Sequence, residues 1–131
     1  MSYDSEVRFE DLLGKTLKSI TGLHKGSGTI NFVTVQGRGY TLAYYQDCCA
    51  SASIEDIAGN PSDLLETPIT MAEEVFSHEN PADVDKELIE YQDSFTWTYY
   101  KLATIKGYVT IRWYGSSNGC YSETATFQEE K

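Results

Sequence analysis

Two stretches near the C-terminus repeat with a period of two, and that period limits the fold more than any other feature. Phe95, Trp97 and Tyr99 alternate with Thr96, Thr98 and Tyr100, and Val109, Ile111 and Trp113 alternate with Thr110, Arg112 and Tyr114. Successive side chains of a strand point to opposite faces, whereas a helix would bring residues three and four apart together. Lys106-Gly107 turns the chain between the two stretches. Ser117-Asn118-Gly119 turns it again into Tyr121, Ala125 and Phe127, so a three-stranded antiparallel meander is expected here.

The first half reads in the same way. Leu17 to Gly22 is a weakly patterned strand and His24 to Gly28 a turn. Thr29 to Val35 is a strand with Ile30, Phe32 and Val35 inward, and Gly37-Arg38-Gly39 turns into Tyr40 to Tyr45. Ala50 to Ile57 is a further strand and Ser62 to Leu65 a helical turn. In Ile69 to Phe76, Met71, Ala72, Val75 and Phe76 fit a helix face while Ile69, Met71 and Val75 partly fit a strand, and its place between two β-rich halves favours the strand. Two helices interrupt the sheet. Ser5 is placed to cap one that ends at Gly14, and Asn80-Pro81 is placed to start another, with Val84, Leu88 and Tyr91 as its apolar stripe. The expected class is α+β with β dominant: one domain over residues 1–131 and antiparallel sheets in two meanders. It has a short N-terminal helix, a helix near 81–91, and residues 78–92 as an acidic helical insertion between strands.

Charge is distributed by region. Residues 46–93 hold 13 of the 20 carboxylates and one base, Lys86, a net −12 against +2 for the rest of a chain whose total is −10. A field of that sign repels nucleic acid and anionic lipid and attracts cations or a basic protein surface. The expected contact residues are Asp83, Glu87 and Glu90 on the second helix, with Glu73, Glu74, Glu55 and Asp56. On a helix, Asp83 and Glu87 rise about 6 Å apart, while phosphates advance about 3.4 Å per nucleotide, a coarse charge match.

No catalytic motif stands out. Cys48 and Cys49 are adjacent, so on a strand they point to opposite faces, and structural zinc commonly takes two separated pairs. Three cysteines cannot all pair internally, which points to free thiols in a reducing cytoplasm. The N-terminus lacks the basic and apolar regions of a signal peptide, and no stretch reaches the ~20 apolar residues of a membrane span. The carboxylates match no calcium-loop spacing. No cofactor and no metal site are expected, and the chain is expected as a monomer or small homo-oligomer.

Two other chemistries have residues to support them. Lys101 and Arg112 among Trp97, Tyr99 and Tyr114 are the makings of a stacking platform for a nucleotide. Asp47, Glu55 and Asp56 are the carboxylates that a metal-dependent hydrolase would use.

Phe9 to Lys15, Gln46-Asp47-Cys48-Cys49, Ile54 to Ile57, Ala72-Glu73-Glu74, Trp97 to Gly107, Val109 to Gly115 and Ser117-Asn118-Gly119 form a set of segments. Together they resemble a family of small, uncharacterised bacteriophage and prophage proteins that carry a domain of unknown function. The resemblance covers residues 9 to 127. Where similar sequences often have an acid after the two cysteines, this chain has Ala50. The resemblance supplies no catalytic or binding residues. It implies a phage origin, and with it an accessory protein in the host cytoplasm that binds a basic host protein, as an anti-CRISPR-like nucleic-acid mimic does.

Overall fold

The computed structural model describes residues 7–45, 50–90, 92–118 and 122–130. Eight strands form two four-stranded antiparallel sheets. β1 (Leu17–Thr21), β2 (Thr29–Thr34), β3 (Gly39–Ala43) and β8 (Thr126–Glu130) lie in that order in the first sheet. The second has the order β4 (Ala50–Ala58), β7 (Gly107–Ser117), β6 (Ser94–Thr104), β5 (Met71–Ser77). The β-dominated class stands, and Met71–Ser77 is a strand, which decides the choice left open over 69–76.

The expected topology and both expected helices need correction. The chain is not two successive meanders: β1, β2 and β3 form one, but β8 leaves β7 and pairs with β3, Leu42 opposite Phe127. Burial explains the crossing. The Phe127 ring stacks parallel to Tyr40 at 5.5 Å and meets Phe9 at 5.5 Å and Phe32 at 6.2 Å, contacts that pairing beside β7 would forfeit. The N-terminal helix is a single 3-10 turn, Phe9–Leu12; its expected cap, Ser5, lies outside the described residues.

The helix expected over 81–91 is one α turn, α1 (Lys86–Ile89), capped by Asp85, whose side chain accepts from the Glu87 N–H at 3.0 Å. Asn80 does not cap it because its amide is committed elsewhere. Val84 is buried, Leu88 is exposed, and Tyr91 lies outside the described residues.

One apolar core joins the two sheets. Ile30, Phe32, Tyr40, Leu42 and Phe127 come from the first; Ile54, Tyr100, Leu102, Val109, Ile111 and Trp113 come from the second. Phe9 bridges them, 4.8 Å from Tyr100 and 6.5 Å from Phe32. Alternation therefore sends Tyr100 and Trp113 inward and leaves Trp97, Tyr99, Lys101, Arg112 and Tyr114 on the outer face of the second sheet. Val35, expected inward, is 56% exposed because it lies in the β2–β3 turn.

The chain returning to β8 crosses β7 closely at Gly115, where a Cβ would run into the Glu123 carbonyl. Glu123 then closes that end of the core, accepting from Thr96 Oγ1 at 2.8 Å and Ser117 Oγ at 2.5 Å.

Candidate functional site

The excursion between β5 and β6 covers the part of the second sheet's outer face around Trp97. Residues 78–92 leave the sheet after Ser77 and lie back across Trp97, which is fully buried although it points away from the core. The Trp97 indole N–H donates to Asn80 Oδ1 at 2.9 Å. Asn80 Nδ2 donates to Gln92 Oε1 at 3.0 Å, and Gln92 Nε2 donates back to Asn80 Oδ1 at 3.2 Å and to the Tyr114 hydroxyl at 2.5 Å. These amides clamp both ends of the excursion to the sheet. A buried indole N–H needs such an acceptor, and an Asn-Pro step placed over it leaves the Asn carbonyl able to serve.

Arg112 holds the middle. Its side chain is 13% exposed, its guanidinium lies 5.4 Å from the Trp97 ring centroid, and Trp97 in turn lies 4.5 Å from Tyr114. Arg112 Nε donates to Glu55 Oε1 at 2.6 Å and Nη1 to Asp83 Oδ1 at 3.1 Å. The β4–β7 register shifts between Ile54 and Asp56, and such an irregularity re-aims the side chain it contains; here that residue is Glu55. Burial alone would lower the Arg112 pKa, but the two carboxylates outweigh it and hold the guanidinium above its ordinary value. Asp83 thus ties the excursion to the sheet.

The other expected contact residues divide into groups. Glu87 and Glu90 are exposed on the excursion, as are Glu79 and Asp85. Among the described residues, Asp83 alone of these five acids has an ion-pair partner within 4.0 Å. Asp56 pairs with Lys25 at 3.5 Å near the surface. Glu73 is exposed on β5 and opposite Lys101 in register, while Tyr99 is half-buried opposite Arg112.

Glu74 faces the other way. It is half-buried opposite Tyr100, whose buried hydroxyl makes no hydrogen bond of ordinary geometry. Burial raises the Glu74 carboxyl above its usual range; the contact with Tyr100 opposes this and the charge of Glu10 adds to it. Glu74 therefore belongs to the edge of the core and not to the outer acidic surface.

Of the residues expected as an aromatic and cationic platform and those expected as an acidic surface, Trp97, Arg112 and Tyr114 meet Glu55 and Asp83 in one assembly, and the remaining acids do not join it. Asn80 and Gln92, which hold it together, carried no pattern marking them for this role.

The model of the family described as a domain of unknown function, DUF7448, matches residues 10–127. The chain belongs to that family. No curated protein and no solved structure matches this DUF7448 chain. Among its described residues no group of three or more His, Cys, Asp or Glu is placed to hold a metal ion, and no helix is long and apolar enough to cross a membrane. Asp47, Cys48, Cys49 and Cys120 lie outside the described residues.

Proposed function

We propose that this DUF7448 protein is a phage accessory protein that binds a basic surface of a host protein, in the host cytoplasm, through the exposed carboxylates of residues 78–92. One observation carries the reading: Glu79, Asp85, Glu87 and Glu90 stand exposed and without an ion-pair partner among the described residues, on a segment clamped to a rigid sheet. Fixed like charges raise the local potential, and a partner of opposite sign relieves it on binding. The phage origin and the host setting rest on the sequence resemblance.

The single turn Lys86–Ile89 cannot place Asp83 and Glu87 on one continuous helix, so the reading rests on charge complementarity and not on a phosphate-like ladder. A counter-defence role against a nucleic-acid-binding complex fits the same chemistry, because such complexes present basic grooves. The platform at 97–114 has less support as a nucleotide site, since Trp97 is covered and Arg112 is already paired.

Affinity capture from bacterial lysate tests the proposal. Wild-type protein and a Glu79→Gln/Glu87→Gln/Glu90→Gln variant are compared at low and high salt. A Lys/Arg-rich protein retained by the wild type and lost by the variant supports the reading. Tight stoichiometric binding of a cyclic or linear nucleotide, measured by calorimetry, would instead favour the platform.

A further inference from the structure

A cleft far from the acidic excursion in sequence has the opposite chemistry. It measures about 340 Å³ and is lined by Leu13, Gly14, Lys15, Thr16, Thr34, Val35, Gln36, Arg38 and Tyr40. Two of the chain's cations wall it and no carboxylate lines it, in a protein of net charge −10. The Lys15 side chain is half-buried and has no carboxylate within 4.0 Å among the described residues. Arg38 gives Nη1 to Glu129, and a guanidinium has further donors to offer. The depression next door, about 470 Å³ and more open, shares Lys15, Arg38 and Tyr40 but adds Glu129 and Asp11, so an anion is directed to the carboxylate-free cleft.

The walls are built before any ligand arrives. The Gly37 N–H donates to the Thr34 carbonyl at 2.9 Å and the Thr34 N–H to the Arg38 carbonyl at 2.8 Å, closing the β2–β3 turn with Gly37 at φ 92°. On the other side the Gly14 N–H donates to the Ile69 carbonyl at 2.8 Å and the Lys15 N–H to the Leu12 carbonyl at 3.0 Å. The Val35 N–H joins the walls by donating to the Thr16 carbonyl at 3.0 Å. Leu13 and Val35 are large apolar side chains about half exposed at this cleft, and they offer apolar surface to whatever enters it.

We infer that this cleft binds a small organic anion, with its phosphate or carboxylate between Lys15 and Arg38 and its apolar body against Leu13 and Val35. The volume lies in the range of small-molecule sites, roughly 300–1,000 Å³. Convergent cations fix the charged end and the apolar residues separate an organic anion from an inorganic one. This site shares no residue with the excursion proposed to contact a protein, so either can fail without the other.

Amide NMR of the full chain, titrated with inorganic phosphate, a nucleoside monophosphate and benzoate, tests it. At least one organic anion should give saturable shifts at Gly14, Lys15, Thr16 and Gln36, at a concentration about tenfold below that needed for phosphate. The monophosphate and benzoate arms distinguish a phosphate end from a carboxylate end. Lys15→Met should weaken binding about tenfold, and Val35→Asp, at an exposed turn position, should abolish it. No saturable shift with any of the three, equal weak shifts with all of them, or affinity unmoved by Lys15→Met would overturn the inference.

Discussion

The indole N–H of Trp97 donates to the side-chain carbonyl of Asn80 at 2.9 Å, although Trp97 stands on the face of its sheet that points away from the core. A tryptophan there would ordinarily be exposed. It is covered instead by residues 78–92, and the same segment carries the exposed acids Glu79, Asp85, Glu87 and Glu90. The charged surface is thus anchored by an aromatic residue it hides.

Asn80→Ala removes the acceptor and leaves a buried donor unpaired. The expected loss of stability is about 1–3 kcal/mol, measured by denaturant unfolding, with tryptophan emission moving toward the red as water reaches Trp97. Asn80→Asp keeps an acceptor and should cost less.

Arg112→Met leaves Glu55, whose side chain is 23% exposed, without its cation, and frees Asp83 from the sheet. A loss of about 2–3 kcal/mol is expected. Arg112→Lys should not restore it, because an ammonium places its three donors on one nitrogen and cannot span Glu55 and Asp83 as Nε and Nη1 do while lying over the Trp97 ring. Adding Glu55→Gln to Arg112→Met should recover part of the loss, as equilibrium unfolding of the single and double variants would show.

Alternation in the sequence located most strands, because period two survives wherever one face is buried. It did not reveal where β8 goes. That choice depends on the rings of Phe9, Phe32 and Tyr40, which lie far from Phe127 in the chain and offer more burial than the neighbouring β7. The charge map named the acids but could not separate their settings. Glu74 differs from Glu73 only in the face it occupies, and one turns to the core while the other turns to solvent. Asn80-Pro81 has the residues of a helix start, yet the indole of Trp97 claims the Asn side chain and the helix begins at Asp85. A local signal was overruled by a tertiary partner.

The pH dependence of stability should carry two opposed contributions. Glu74 has its carboxyl raised above the ordinary 4.5, so folding favours its protonated form. That stability is complete below 4.5 and is lost as pH rises through the folded value. Burial would also raise Glu123, but the hydroxyls of Ser117, Ser94 and Thr96, with His78 nearby, bring it below 4.5. Its contribution is present above 4.5 and is lost as pH falls through the folded value. Glu74→Gln should therefore raise the melting temperature at pH 7, with the advantage over wild type shrinking as pH falls toward 4.5. A constant difference across that range would contradict the assignment.

The central claim is that the exposed acids of residues 78–92 form a binding surface for a basic protein. The most direct measurement is the amount of Lys/Arg-rich host protein retained by wild-type protein and by Glu79→Gln/Glu87→Gln/Glu90→Gln at matched salt. Asp83 and Asp85 are left intact because they hold the segment and cap its helix, and circular dichroism should show the same fold in both proteins. Retention by the wild type should fade with added salt and fall about tenfold in the variant. Equal retention by the two proteins, or none by the wild type at low salt, would contradict it.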